Sequence, residues 1–306
     1  MMYSENYIKD IVLFLKALAS NQIARFSPSS YVRLTHQTGR GNEKESAIES
    51  AHYFFDCVND YLSKLGIDKE DCQDFLKDKK ILEYGPGDTL GVALLMYAYG
   101  AESVECIDRF PLSTDSKKSS EIYLELINRL EKKYLERASS AFIEKGNPSS
   151  GFKPELISYS VQSNGLSGAV QEYDLILSRA VLEHVNNLEG TILDIEQALK
   201  KGGISIHQVD LKSHGLDRYR DFDFLSWPQY LYKLMYSHKG FPNRWRVNKY
   251  LQLVEKSELK LVSITATGKL ETKSINAIKD KLTSQFRSIS TEELSWLGFW
   301  IILKKT

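Results

Sequence analysis

The segment Glu83-Tyr84-Gly85-Pro86-Gly87-Asp88-Thr89-Leu90-Gly91 constrains the fold of this chain more than any other. It grows out of a short apolar run, Ile81-Leu82-Glu83-Tyr84, and leads into a stretch from Thr89 to about Tyr99 that suits a helix. Gly85 and Gly87 permit the sharp reversal between the two and let a ligand approach the backbone. The helix that follows begins with free N–H groups and a partial positive charge. Ser103-Val104-Glu105-Cys106-Ile107 then reads as a second strand, ending at Asp108. Strand, tight turn, helix and strand in this order predict a parallel sheet.

The alternation continues. Leu156 to Tyr159, Tyr173 to Ser178, Ile204 to Val209, Leu259 to Ile264 and Trp296 to Leu303 read as further strands, about seven in all. The last two could pair as an antiparallel edge. One long amphipathic helix is expected over roughly 116–139, with Leu126, Ile127, Leu130 and Tyr134 on its buried face. Another, from about Leu188 to Leu199, stops at Lys200-Lys201-Gly202-Gly203, basic residues and then glycine. The fold class is α/β. Residues 1–78 read as an N-terminal helical cap, in which Ile8, Ile11, Val12, Leu15 and Leu18 share one helix face. Residues 79–210 form the core and 211–257 an insertion over the carboxyl edge of the sheet, where open α/β sheets bind ligands. Residues 258–306 supply strands that complete the core.

Composition narrows the partners. Lys plus Arg and Asp plus Glu both number 40, so the net charge is +0 and no broad positive field is available to hold nucleic acid. The three cysteines, Cys57, Cys72 and Cys106, have no metal-ligand spacing and read as reduced thiols in a cytoplasmic protein. The run Ile11 to Leu15 meets Lys16 and falls far short of the ~20 residues that span a bilayer. No export signal is evident. A homo-oligomer is compatible with all of this.

Two acids sharpen the glycine turn. Glu83 lies two residues before the first glycine, where a carboxylate would repel a pyrophosphate and suit a ligand carrying an ammonium and a sulfonium. Asp108 ends the next strand, 23 residues past Gly85, where an acid can accept hydrogen bonds from ribose hydroxyls.

With these residues the chain resembles the class I S-adenosylmethionine-dependent methyltransferases of small-molecule type, over roughly 79–210 and more loosely 258–306. Glu83 to Gly91 looks like their first motif. Tyr173 to Ser178, followed by Ala180-Val181-Leu182-Glu183-His184-Val185, is similar to their fourth strand and the turn after it. The resemblance implies a Rossmann-like sheet with S-adenosyl-L-methionine as cofactor. It implies that Gly85, Pro86 and Gly87 line the methionine moiety, with Glu83 near its amino group. Asp108, with Arg109 beside it, would hold the ribose. Ser178 and Arg179 would border the cofactor beneath the sulfur. Family members often carry an acid just after the third strand. Here that stretch reads Ser160-Val161-Gln162-Ser163, which leaves Val161 and Gln162 as the adenine wall.

Methyl transfer from a sulfonium chiefly needs alignment of donor and acceptor. A hydroxyl acceptor also needs a base, worth about 10²–10⁴ in rate. His184, His207 and His214 fall near the expected carboxyl edge. His184 or His214, assisted by Asp210, is the favoured base, with His207 as a further candidate. His207, Asp210 and His214 carry metal-ligating atoms but match no metal motif, so no metal is expected. The insertion is rich in aromatics and arginines, which suits a sugar ring stacked on aromatic faces. Trp227, Tyr230, Arg244 and Trp245 are candidate substrate contacts there, and Tyr31 and Arg40 are candidates in the N-terminal segment. The pattern also looks like methyltransferases of surface-glycan and natural-product pathways. The expected activity is O-methylation of a sugar or glycan precursor. N- or C-methylation of another small metabolite, or a non-catalytic binding module on the same fold, stands as the alternative.

Overall fold

The computed structural model describes residues 3–35, 45–113 and 116–306. Its helices are α1 (Tyr7–Phe26), α2 (Pro28–Thr35), α3 (Ala47–Leu65), α4 (Cys72–Leu76), α5 (Gly91–Tyr99), α6 (Lys117–Arg129), α7 (Lys132–Ser140), α8 (Leu188–Ala198), α9 (Gln229–Tyr236), α10 (Val247–Glu255), α11 (Thr272–Lys279), α12 (Ser284–Arg287) and α13 (Thr291–Ser295). Its strands are β1 (Lys80–Tyr84), β2 (Ser103–Asp108), β3 (Ile157–Val161), β4 (Tyr173–Arg179), β5 (Leu199–Asp210), β6 (Leu259–Lys269) and β7 (Trp296–Lys305). The seven strands lie in one sheet in the order β3-β2-β1-β4-β5-β7-β6. β1 pairs in parallel with β2 and with β4, and β2 pairs in parallel with β3. The expected Rossmann-like α/β architecture is therefore the one the chain adopts.

By compactness the chain divides into two units. One comprises residues 36–179, 193–206 and 302–306, the other 1–35, 180–192 and 207–301. In the first, β1 is buried along four of its five residues and α5 along all nine. An element covered on every side has no polar face, which is why both read as plain apolar runs. A capping box starts α3: Ser46 Oγ accepts from the Glu49 N–H at 3.2 Å, and the Glu49 carboxylate accepts from the Ser46 N–H at 2.8 Å. Gly66, left-handed at φ 72, ends the helix.

Gly91 opens α5 against α3. A Cβ on Gly91 would lie 2.4 Å from the Phe54 ring, itself buried, so the last glycine of the turn motif serves helix packing. Gly91→Ala is expected to overpack this contact and cost about 1–3 kcal/mol, read as a lower denaturation midpoint.

The single helix expected over 116–139 is two. α6 ends at Arg129, Leu130 takes an extended conformation (φ −68, ψ 148), and α7 restarts after Glu131. The bend buries both Leu130 and Tyr134.

The core of the second unit is aromatic, with Phe222, Phe224, Trp227, Tyr232, Tyr236 and Phe286 among its members. Here α1 packs against α9. The face that Ile8, Ile11, Val12 and Leu15 share is exposed, and Asp10, Ala17, Asn21 and Ala24 are buried instead. Polar anchors set this orientation. Asp10 accepts from Arg218 at 2.8 Å and from the Tyr219 hydroxyl at 2.9 Å. Asn21 Nδ2 donates to the Leu234 carbonyl at 2.9 Å. Breaking a buried, hydrogen-bonded ion pair would cost more than exposing aliphatic side chains. Among the described residues no helix is long and apolar enough to cross a membrane.

Candidate active site

Strand register brings the residues expected to hold a cofactor to one edge of the first unit. Glu83 lies beside Cys106 on β2 and Leu177 on β4, and Tyr84 lies beside Ile107 and Ser178. Asp108 is level with Val161, and the Gln162 N–H donates to the Asp108 carbonyl at 2.8 Å. The ends of β3, β2, β1 and β4 thus stand side by side. The turn after β1 is pinned by the Gly85 N–H, which donates to the Ile107 carbonyl at 2.7 Å. Gly85 (φ 64) and Gly87 (φ 80) are both left-handed, which excludes a Cβ without strain and leaves Pro86 between them.

The electrostatics of this edge are unusual for its size. Glu83 is 5 % exposed, and burial pushes its carboxyl up to about 8. Cys106 Sγ donates to it at 3.6 Å, and among the described residues no basic side chain pairs with it. A buried carboxyl without a cation fits a ligand that brings one, such as an α-ammonium group. Asp108 is raised to about 6 by burial, against the backbone N–H groups of Phe110, Arg109 and Gly87 that favour its ionised form. Beside it, Arg109 stacks on Phe110 at 4.6 Å, and among the described residues both buried terminal guanidinium nitrogens have no hydrogen-bond partner. Ser178 is fully buried, Val161 and Gln162 are exposed, and Arg179 pairs with Asp60 of α3 at 2.8 Å. The arrangement offers a carboxyl for an ammonium, a second for a diol, and an open strand end for a ring.

The second unit holds the histidines. The turn after β4 is clamped by Asn243, whose N–H donates to the Glu183 carbonyl at 2.6 Å and whose Nδ2 donates to the carbonyls of Leu182 (2.8 Å) and Val185 (3.1 Å). On this turn Glu183 is buried. Among the described residues no side chain hydrogen-bonds its carboxylate, and burial raises its pKa well above the usual range, against the backbone N–H groups of Glu183 and Asp210 that favour the ionised form. His184 Nε2 lies 3.9 Å from Glu183 Oε1. The His184 and His214 rings meet edge to face, centroids 4.8 Å apart. His214 is left-handed at φ 51, and desolvation lowers its pKa against the pull of Asp210. Asp210 itself bonds the Lys212 N–H at 2.9 Å. His207 is fully buried and pushed down to about 3 by burial, so it stays neutral. Glu183, His184 and His214 each offer a ligand atom within 4.8 Å of one another, the set among the described residues able to hold a metal ion. Glu183 drew no attention as a site residue in the sequence, because an acid beside a histidine in a loop ordinarily faces water.

The expected substrate contacts separate. Trp227 and Tyr31 are buried, and Arg218 stacks on Trp227 at 4.5 Å. Arg244 is buried too, stacking on Tyr232 at 4.0 Å and donating to the Trp227 carbonyl at 2.7 Å. Arg218, Trp227, Tyr232 and Arg244 thus pack against one another. Tyr230 is 67 % exposed. Arg40 lies outside the described residues. Trp245 does line open space, a cavity of about 500 Å³ with Tyr232, Tyr236, Phe241, Asn186 and Asn243 around it.

A family model described as a methyltransferase domain matches residues 51–264. No curated protein matches the chain. Similar solved structures include an S-adenosylmethionine-dependent methyltransferase from Mesorhizobium loti, 16% identical, TM-score 0.42, covering 75% of this chain and 92% of that one. A [4+2]-cyclase, SpnF, is 12% identical with TM-score 0.42 and covers 86% and 84%. A geranyl diphosphate methyltransferase in complex with its cofactor is 11% identical with TM-score 0.40 and covers 78% and 84%. The family match runs from within α3 to within β6 and so includes the glycine turn, both acids and the histidine turn: the chain belongs to the methyltransferase-domain family, and S-adenosylmethionine is its cofactor.

Proposed function

We propose that this enzyme O-methylates a sugar or glycan precursor, with His184 as the general base. The observation that carries the reading is the cluster on the turn after β4: His184 beside the buried Glu183, with its ring braced by His214. When bound, S-adenosylmethionine supplies a methyl group made electrophilic by its sulfonium. Glu83 would hold the donor's ammonium, Asp108 the ribose hydroxyls, Gly85 and Gly87 the methionine backbone, and Val161 and Gln162 the adenine. His184 would take the proton of the acceptor hydroxyl as the oxygen–methyl bond forms. The imidazolium so formed stands beside Glu183, whose carboxyl can ionise to offset it. The cavity lined by Trp245, Tyr236 and Phe241 supports a sugar acceptor, because aromatic faces stack on sugar C–H surfaces while Asn186 offers its amide to hydroxyls. Asn243 joins this cavity to the Glu183 turn through its backbone hydrogen bond.

One observation favours a second reading. The buried carboxylate of Glu183, together with His184 and His214, suits a divalent cation that would lower the acceptor hydroxyl's pKa. Both readings are tested by incubating the protein with methyl-labelled cofactor and glycan precursors, then locating the label by mass spectrometry. Label on a sugar oxygen, insensitive to chelator, is the expected result. Loss of transfer with chelator, restored by Mn²⁺, favours the cation. Label on nitrogen or carbon of another metabolite favours the alternative acceptor. Failure to bind the cofactor in calorimetry would leave a non-catalytic module.

A further inference from the structure

We infer that α1 is a docking face for a membrane surface rich in anionic lipid. Along this helix Ile8, Ile11, Val12, Leu15, Ile23 and Phe26 recur at helical spacing and are all exposed, Ile8 at 78% and Phe26 at 77%. They lie opposite the buried Asp10, Ala17, Asn21 and Ala24. The exposure is built in, because both buried polar residues are spent on anchoring the helix: Asp10 to Arg218 and Tyr219, Asn21 to the Leu234 carbonyl. Lys239 adds a third anchor, donating from Nζ to the Ala17 carbonyl at 3.0 Å. The helix cannot roll to hide its apolar stripe without breaking these bonds.

Charge says what covers the stripe. The exposed charged side chains of α1 and α2 are Lys9, Lys16, Arg25 and Arg33, all basic. The two acids among the described residues up to Thr35 are neutralised by arginines, Asp10 by Arg218 and Glu5 by Arg220. At 100° per residue, Lys9 and Lys16 flank one border of the stripe and Arg25 the other. An apolar strip edged by cations, with no uncompensated anion, is the pattern of a helix lying in the headgroup plane, its aliphatic residues in the acyl boundary and its cations reaching the phosphates. A second copy of the chain fits less well. Pairing this face with itself would set lysine and arginine against lysine and arginine. The inference is independent of the acceptor proposed above, since it concerns where the enzyme works and not which atom it methylates.

The test is vesicle co-sedimentation of the full chain. Vesicles of phosphatidylcholine alone are compared with vesicles in which a quarter of the lipid is phosphatidylglycerol. Binding to the anionic vesicles is expected, weakened by salt, and weak or absent on the neutral ones. Each of Lys9→Gln, Lys16→Gln and Arg25→Gln should reduce it about fivefold. Ile11→Glu with Leu15→Glu should abolish it while leaving thermal melting and cofactor binding unchanged, because both positions face water. No binding to anionic vesicles overturns the proposal, as does equal binding to neutral ones. A dimer in sedimentation velocity that Ile11→Glu dissociates assigns the face to a second copy and overturns it too.

Discussion

Glu83→Gln is expected to weaken S-adenosylmethionine binding about 10- to 100-fold, the worth of a charge-assisted hydrogen bond in a buried site. The same change should stabilise the ligand-free protein above neutral pH. In the folded chain burial holds the Glu83 carboxyl near 8, against an ordinary value of 4.5. Between those values the unfolded chain has lost the proton and the folded chain keeps it. Stability contributed by the neutral carboxyl is therefore full below the ordinary value and declines as pH rises toward about 8, at up to about 1.4 kcal/mol per pH unit. Glutamine cannot ionise, so the variant's denaturation midpoint should fall less steeply across that window, keeping only the decline due to Asp108 and Glu183. Ligand binding runs the other way. An ammonium partner needs the carboxylate, so the wild-type affinity should rise with pH up to about 8, by as much as tenfold per unit, with close to one proton released per cofactor bound at pH 7. Calorimetry in buffers of different ionisation enthalpy reads that proton directly. A cofactor affinity that is level from pH 6 to 9 in the wild type would rule out a buried carboxyl meeting a ligand cation.

His184→Ala should lower kcat by about 10²–10⁴ and leave cofactor affinity unchanged, because the residue moves a proton and does not hold the donor. The rising limb of the pH–rate profile should vanish with it. His207→Ala should behave differently. Its imidazole is wholly enclosed and neutral, so the loss should appear in the melting temperature, with kcat little changed in the protein that folds. His214→Ala should fall between, since it removes the ring that braces His184. Full activity in the His184 variant would exclude the base and favour an amine acceptor, which needs none.

The strand ends around the glycine turn were legible in the sequence because their determinants are local. A β-turn that needs positive φ shows itself as Gly85 and Gly87, and buried parallel strands show themselves as apolar runs. Strand order and pleat then leave little freedom, so Glu83, Asp108 and Ser178 fall at neighbouring strand ends. The break at Leu130 was not legible, as neither glycine nor proline marks it. The aromatics and arginines of 211–250 carry the composition of a binding surface, yet Trp227 and Arg244 satisfy themselves within the unit and Trp245 faces the cavity. Composition cannot say which ring is enclosed.

The amino-acid order alone determined the sheet, its glycine turn and the placing of Glu83 and Asp108 at neighbouring strand ends, since each rests on backbone geometry within a few residues. Tertiary structure decided the roles that depend on distant partners. It set Glu183 in the interior beside His184, enclosed His207, and turned the apolar side of α1 outward. The reason is the same in all three cases: periodicity shows that side chains share a face, but which face is buried depends on where hydrogen bonds and ion pairs to remote segments, such as Asp10 to Arg218, can be made.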